Sequence, residues 1–454
     1  MSYRHVDDFK RLTGSIRFQT FICMKKNVAP PPGYLFSRSY TNYVFILLFL
    51  LYLFDYADRM VVSSLGPFIQ KEWHLNDKQL SMFLSVIYWS IVALTFPASI
   101  LVDRWSRRKT IGIMAALWSV ASLACAFTNN FRQLFTARLF IGVGESGYAP
   151  GGTAMIAGMY PERKRSLMMG IWNAAIPLGS ALGVALGGII ATHWGWRHAF
   201  GLVALPGFVV AVLFFFVRDY KTVSLVKNGN NSEKKGKIRM GLKDIVAEFV
   251  ERPSLLFTYL GITGVVFVTN SILFWLATYF NRMYGLPMDK AGPRASLVML
   301  LALIGAPIGG FITDRWKRTR PNARLLFPAI STFLSAIFLF LAFVVFSGSM
   351  QYVMLLLMGV CISAFIPAAA AVTQDLVHPG LRATSYAIAV VIQNLLGSSL
   401  GPLVVGAISD KHGIQQGMSI LPLFLVLAAV LFFTGSFKYQ KDVSTVEEIP
   451  LEAR

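Results

Sequence analysis

The chain has 454 residues, 55% of them hydrophobic and only 14% charged, with a formal net charge of +20 at pH 7. Soluble globular domains carry about 25% charged residues, so a water-soluble globular fold is excluded. The basic balance could signal nucleic acid, but the positions of the charges argue against that partner, as the chain order shows.

Residues 1–40 are basic, contain Pro30-Pro31-Pro32, and lack the short apolar core and cleavage site of a secretory signal. They read as a cytoplasmic tail, with Met24 as an alternative initiator. Twelve apolar runs follow, over 41–68, 78–102, 109–128, 132–158, 166–192, 197–218, 254–284, 290–313, 323–346, 350–375, 382–409 and 417–437. Roughly 20 helical residues at 1.5 Å each span a ~30 Å hydrocarbon core. The runs are continuous rather than alternating, which excludes membrane strands. The expected fold is therefore an all-α polytopic membrane protein with 12 transmembrane helices in two six-helix pseudo-symmetric halves.

An even number of crossings puts both termini on one side. Of the 42 Lys and Arg, 32 fall on that side and 8 on the other. Positive residues stay cytoplasmic, so both termini are expected inside a plasma membrane, in bacteria the inner one. Anionic lipid is a secondary partner. Residues 41–218 and 254–437 form the two bundles, 219–253 a polar linker, and 438–454 a cytoplasmic tail. Lys243–Glu251 reads as a short amphipathic surface helix.

Two repeats support the division. Asp103-Arg-Trp-Ser-Arg-Arg-Lys109 returns 211 residues later as Asp314-Arg-Trp-Lys-Arg-Thr-Arg320. Leu178-Gly-Ser-Ala-Leu-Gly183, with Gly195 beyond it, returns 218 residues later as Leu396-Gly-Ser-Ser-Leu-Gly401 with Gly413. Parallel halves of this kind hold their substrate between them near mid-membrane. Gly170, Gly179, Gly183, Gly187 and Gly188 include pairs four apart, which allow close helix packing in lipid. Pro177 removes a backbone bond and bends the same helix.

A charge at mid-bilayer is costly and marks function. The first run holds Asp55, Asp58 and Arg59; the fourth holds Arg138 and Glu145. Asp55 and Arg59, four apart, share a helix face. Helical rise places Asp58 ~25 Å above the cytoplasmic end and Arg138 ~10 Å below the outer end, so an Asp58–Arg138 pair with Glu145 beneath it is expected. Burial raises a carboxyl pKa and a nearby arginine lowers it. Glu145 or Asp58 would carry the proton, tuned by Arg138. Alternatively, Arg59 or Arg138 holds an anionic substrate.

The second half has no comparable deep charge, since Asp375 sits at a boundary. Its candidate cavity groups are neutral: Asn270, Trp275, Tyr279, Gln393 and Asn394. Tyr88, Tyr148, Trp172 and Asn173 are their counterparts in the first half. Together they suggest an amphipathic substrate. Asp103, Arg104, Arg107 and Arg108, with Asp314 and Arg315, are expected to latch the cytoplasmic side. Cys23, Cys125 and Cys361 have no metal spacing.

These residues carry a family resemblance. Ser99-Ile-Leu-Val-Asp-Arg-Trp-Ser-Arg-Arg-Lys109 resembles the loop 2–3 motif of the major facilitator superfamily, with serines where glycine is usual at 99 and 106. Arg138-Leu-Phe-Ile-Gly-Val-Gly144 resembles its fourth-helix motif, whose arginine is linked to proton coupling. The fifth-helix glycines match the antiporter spacing, but Val184 replaces the motif's proline. Asp55-Tyr-Ala-Asp-Arg59 and Gly142-Val-Gly-Glu-Ser146 resemble two groups, the anion:cation symporters and the spinster-like transporters. Asp55 stands where the first-helix motif has asparagine. Ala175-Ile-Pro-Leu-Gly-Ser180 and Leu400-Gly-Pro-Leu-Val-Val-Gly406 lean toward spinster-like bacterial proteins. The resemblance implies that Asp58, Arg138 and Glu145 form the coupling constellation.

Proton-driven symport of a small organic anion is the first expectation, and export of lipophilic or amphipathic molecules such as lysolipids the second. No nucleotide, metalloprotease or serine-hydrolase motif stands out, so an enzyme is not expected. Neither is a cofactor; the energy source would be a proton gradient. The expected oligomeric state is a monomer.

Overall fold

In lipid only a helix or a closed barrel satisfies every backbone polar group within itself, and the apolar runs fold accordingly as helices. The computed structural model describes residues 34–104, 106–219, 251–377 and 381–446. The tail segments 1–33 and 447–454, most of the linker and the segment Lys243–Val250 lie outside the described residues.

The first half comprises α1 (Arg38–Trp73), α2 (Asp77–Arg104), α3 (Arg107–Cys125), α4 (Phe131–Glu145), α5 (Tyr148–Met159), α6 (Glu162–Asn173), α7 (Ala175–Trp194) and α8 (Trp196–Phe214). The second comprises α9 (Pro253–Tyr284), α10 (Met288–Leu300), α11 (Ala302–Lys317), α12 (Ala323–Phe340), α13 (Gly348–Ser363), α14 (Ile366–Asp375), α15 (Arg382–Ile392), α16 (Leu400–His412), α17 (Ile414–Ser419) and α18 (Leu421–Ser444). Short π-helical turns follow α12 (Leu341–Val345) and α15 (Gln393–Ser398). Nine stretches among the described residues are long and apolar enough to cross a membrane. With α1, α3 and the α4–α5 pair they make twelve successive segments, six in each half.

Several segments are broken where proline dictates. Proline has no N–H to give the carbonyl four residues back. Pro150, Pro177 and Pro367 therefore orphan the carbonyls of Ser146, Asn173 and Ser363, and the chain breaks between α4 and α5, α6 and α7, and α13 and α14. Pro150 and Pro367 are 217 positions apart, so this break belongs to the internal repeat. The repeat extends to backbone conformation. Gly195 (φ 89°, ψ 154°) and Gly413 (φ 85°, ψ 159°) turn the chain identically at matching corners, in a region open essentially to glycine alone.

One end of the bundle carries Arg107, Arg108, Arg315 and Arg318 and is called here the basic face. The other end carries the α1–α2 and α9–α10 corners and is called the far face. The glycines of the fifth apolar run do not all act alike. Gly179, Gly183 and Gly187 press α7 onto α1, whereas Gly170, on α6, has open space around it.

α7 also packs against α10 of the other half. A Cβ on Gly292 would stand 2.7 Å from the Val184 carbonyl oxygen, and Ser296 Oγ donates to Ala181 O at 2.7 Å. Gly292→Val should wedge these helices apart, costing about 1–3 kcal/mol as overpacking does. A lowered Tm in detergent, with looser closure of the far face, would be the measured sign.

Candidate functional site

Arg59 is the hub of the ionic centre. Only 6% exposed, its guanidinium Nη2 lies 3.1 Å from Asp55 Oδ2 on the preceding turn and 2.8 Å from Glu145 Oε2 at the end of α4. It also lies over the rings of Tyr56 (4.5 Å) and Tyr88 (5.3 Å). Glu145 Oε1 and Asp58 Oδ2 are buried without a hydrogen bond. The α4 helix ends at Glu145 because Pro150 breaks the ladder just beyond it, and that break brings the carboxylate to α1.

The pairing differs from the one the sequence suggests. Arg138 does not pair with the Asp58 carboxylate. It donates from Nε to Phe83 O (2.9 Å) and from Nη1 and Nη2 to the carbonyls of Asp58 (3.3 Å) and Arg59 (2.8 Å). It is fully buried and ties α4 to α1 and α2. Glu145 meets Arg59 instead. The physical reason is rotational: helical rise fixes the depth of Arg138 but not the direction in which its guanidinium points.

An aromatic wall adjoins this centre. Tyr52 stacks on Trp172 at 4.2 Å with an 11° interplanar angle, and Tyr148 sits edge-on to Trp118 at 5.2 Å. The indole nitrogens of Trp118 and Trp172 are buried without partners. The Tyr148 hydroxyl donates to Leu48 O. Tyr52, Tyr56 and Trp118 were not singled out in the sequence; the spacing of Tyr52, Tyr56 and Arg59 along one face of α1 was the available signal.

Of the neutral candidates, Tyr88 and Asn270 meet each other. Tyr88 Oη donates to Asn270 Oδ1 at 2.8 Å. Asn394, half-buried like Gln393, accepts from Ser398 Oγ at 3.2 Å; both lie in the π-helical turn. Trp275 is buried and donates to Pro402 O at 3.0 Å, inside its own half. Asn173 is exposed and donates to Met169 O at 2.9 Å, on its own helix. Tyr279 bonds Gln415 and Gln351, at 2.5 and 2.8 Å, also within the second half. Asp375 pairs with Arg324 and accepts from Tyr439 at 3.1 Å.

The contacts joining the halves cluster from mid-depth to the far face. Arg282 of α9 clamps Asp77 at 2.6 and 2.7 Å and Gln70 at 2.9 Å. Ser409 Oγ donates to Asp77 Oδ2 at 2.5 Å. Asp410 of α16 accepts from the amides of Asp77 (2.6 Å) and Lys78 (3.0 Å), capping α2 from the other half. The α2 N-terminus also has a local capping box, in which Asn76 and Gln79 exchange hydrogen bonds. Ser85 Oγ reaches Ser399 O at 2.6 Å. The substantial helix contacts between halves, among the described residues, are α1–α9, α7–α10 and α2 with α16 and the neighbouring π turn. Among the described residues α5 and α6 do not pack substantially on α14 and α15. The far face is closed, and the basic face is where the halves part.

The expected latch loops lie at the open end. The side chains of Asp103 and Arg104 are outside the described residues. Arg108 Nη1 donates to Val217 O at 2.9 Å, and Ser106 Oγ donates to Asp219, both within the first half. Arg107 is half-buried, and Asp314 and Arg315 are exposed. In this state Arg108 and Ser106 brace the first-half loop against its own half. The far-face cluster of Asp77, Arg282 and Asp410 went unnoticed in the sequence, where these residues read as ordinary loop charges. Among the described residues no His/Cys/Asp/Glu group is arranged to hold a metal.

Known proteins share this architecture. Protein spinster homolog 1 of Bos taurus is 28% identical over 397 residues, spanning 83% of this chain and 74% of that protein. The hexuronate transporter of Bacillus subtilis (strain 168) is 25% identical over 399 residues, 86% of this chain and 94% of that one. A crystal structure of a bacterial homolog of the human lysosomal transporter Spinster, inward-facing and occupied, matches with a TM-score of 0.78 at 22% identity, over 91% of this chain and all of that one. Residues 48–402 match the profile described as Major Facilitator Superfamily, and the chain belongs to that superfamily of multi-pass membrane transporters.

Proposed function

We propose that the protein is a proton-coupled symporter of a small organic anion, a carboxylate or sugar acid, working by alternating access. The observation that carries this reading is a single buried guanidinium, Arg59, shared between Asp55 and Glu145. Arginine is suited to bidentate carboxylate recognition. A substrate carboxylate can take the place of Glu145 on Arg59, and the displaced Glu145, left unpaired in a low dielectric, then binds a proton. Substrate and proton thus enter together. The likeness to a hexuronate transporter supports the substrate class. The distribution of Lys and Arg supports a cytoplasmic basic face; on that reading the state described here is inward-facing, in a bacterial inner or other plasma membrane.

The aromatic wall of Tyr52, Trp172, Tyr148 and Trp118, together with the likeness to spinster proteins, favours a second reading: export of an amphipathic molecule such as a lysolipid. Flux in proteoliposomes separates the two. An inward proton gradient should drive uptake of a hexuronate or related sugar acid. Movement of a lysolipid, with no carboxylate uptake under any gradient, would overturn the symport reading in favour of the second.

A further inference from the structure

Tyr88 touches both halves at once. Its ring lies 5.3 Å from the Arg59 guanidinium, and its hydroxyl donates to Asn270 Oδ1 at 2.8 Å. The contacts continue in one direction. Asn270 Nδ2 donates to Ser398 Oγ at 3.4 Å, and Ser398 Oγ donates to Asn394 Oδ1 at 3.2 Å. Ser398 and Asn394 belong to the π-helical turn Gln393–Ser398, an irregularity of the kind found at functional positions in helices. A continuous row of side chains therefore runs from the carboxylates of α1 and α4 to the irregular backbone between α15 and α16.

Arg282, Ser409 and Asp410 of the second half gather around Asp77, three helical turns away along α2, or about 16 Å at helical rise, while the bonds of Ser85 to Ser399, Thr278 to Ser63 and Ser296 to Ala181 end on backbone carbonyls. Tyr88–Asn270 is set apart from them by joining two side chains and by the contact of Tyr88 with the ionic centre. Both residues are nearly buried, at 3% and 8% exposure, so they roof the centre.

We propose that the Tyr88–Asn270 bond is the contact through which the charge state of Arg59 and its carboxylates reaches the second half. Tyr88 is a positioning residue in this scheme, which rests on the proton-coupled reading above. When Glu145 is protonated, Arg59 is held by Asp55 alone and its guanidinium moves. The ring of Tyr88 follows it, and the bond to Asn270 is made or lost with that movement. The second half needs no deep charge of its own because it reads the first half through this bond.

The groups that titrate or carry charge around the row are few. Asp55 and Tyr56 flank Arg59 on α1, with Glu145 facing it from α4. Behind them lie Asp58, Arg138 and Cys125, and Tyr52 and Tyr148 close the cluster. Tyr88→Phe removes one oxygen atom and keeps the ring over Arg59. Asn270→Leu removes the acceptor from the other side.

The test is a distance across the far face between spin labels at Lys71 and Gln416, in protein whose native cysteines are replaced, without substrate, from about pH 8 to about pH 5.5. Wild type should change its open-to-closed population ratio about fivefold or more, the scale on which a biased two-state equilibrium shifts. Each variant should respond less than about twofold, and the double variant no less than either single one, as expected of residues acting through one bond. A purely structural role would displace the curve equally at every pH and leave its pH response intact, which would overturn the proposal. If wild type itself ignores pH, the proton-coupled reading fails and the relay with it. If wild type responds and a folded Tyr88→Phe or Asn270→Leu responds equally, the relay alone is wrong.

Discussion

Replacing Glu145 by glutamine should abolish accumulation against a gradient while leaving substrate exchange intact. A charge at mid-membrane costs about 2.5–3.5 kcal/mol even on insertion scales, so Glu145, 4% exposed, must be either paired with Arg59 or protonated when the carrier reorients. A substrate carboxylate that occupies Arg59 leaves only the protonated form. Glutamine is always neutral, so the loaded carrier can reorient with no proton. Substrate then equilibrates. With one proton per substrate, a pH difference of one unit supports about tenfold accumulation, because 1.4 kcal/mol is a factor of ten. The variant should reach a ratio of about one by the same arithmetic, with counterflow exchange near wild type. Proteoliposomes with an imposed pH difference give both numbers. Full accumulation by Glu145→Gln would remove Glu145 from the coupling step and leave Asp58, buried with an unbonded Oδ2, to carry the proton.

Arg282→Ala should open the far face. The guanidinium of Arg282 holds a carboxylate, Asp77, that is only 4% exposed, and without it that carboxylate is buried beside Ser409 and Asp410. Truncating one partner of a buried charged pair costs about 2–5 kcal/mol. The Arg282 side chain is a third exposed, so the lower end applies. The penalty falls on the closed far face alone, because in a form open at that face Asp77 would be solvated. About 2 kcal/mol moves the equilibrium about 30-fold. The spin-label distance between positions 71 and 416 should lengthen, and Arg282→Lys should restore most of the closure. An unchanged distance in Arg282→Ala would show that the glycine packing of α7 on α10 holds the face shut without the ion pair.

How far the sequence could be read depended on whether a property is local. Helical crossings were legible because lipid leaves the backbone little choice. The duplication was legible in its basic loops and in the glycine segments ending at Gly195 and Gly413, and the structure adds the matching backbone conformation of those two glycines and the matching breaks at Pro150 and Pro367. The presence of Asp55, Asp58, Arg59, Arg138 and Glu145 within spans was legible because each is expensive there. Their partners were not. Arg138 and Arg59 both lie within reach of Glu145 by depth, and only the rotation of each helix decides that Arg138 spends its donors on carbonyls. The partners of Trp275 and Asn173 were hidden in the same way, because polarity within a span does not say which way a side chain faces: each bonds a carbonyl of its own half. The far-face clamp was invisible for another reason: Asp77 finds Arg282 across 205 positions and Asp410 across 333.

That last separation has a consequence for how the molecule is made. The first turn of α2 leaves the ribosome early, with only Asn76 and Gln79 to satisfy its amides. The carboxylate that completes it belongs to the eleventh of twelve crossings and is synthesised 333 residues later. Contacts so distant in sequence are slow to form. The far face of the protein is therefore finished late, and until α16 arrives the young first half carries an incomplete surface where its partner will dock.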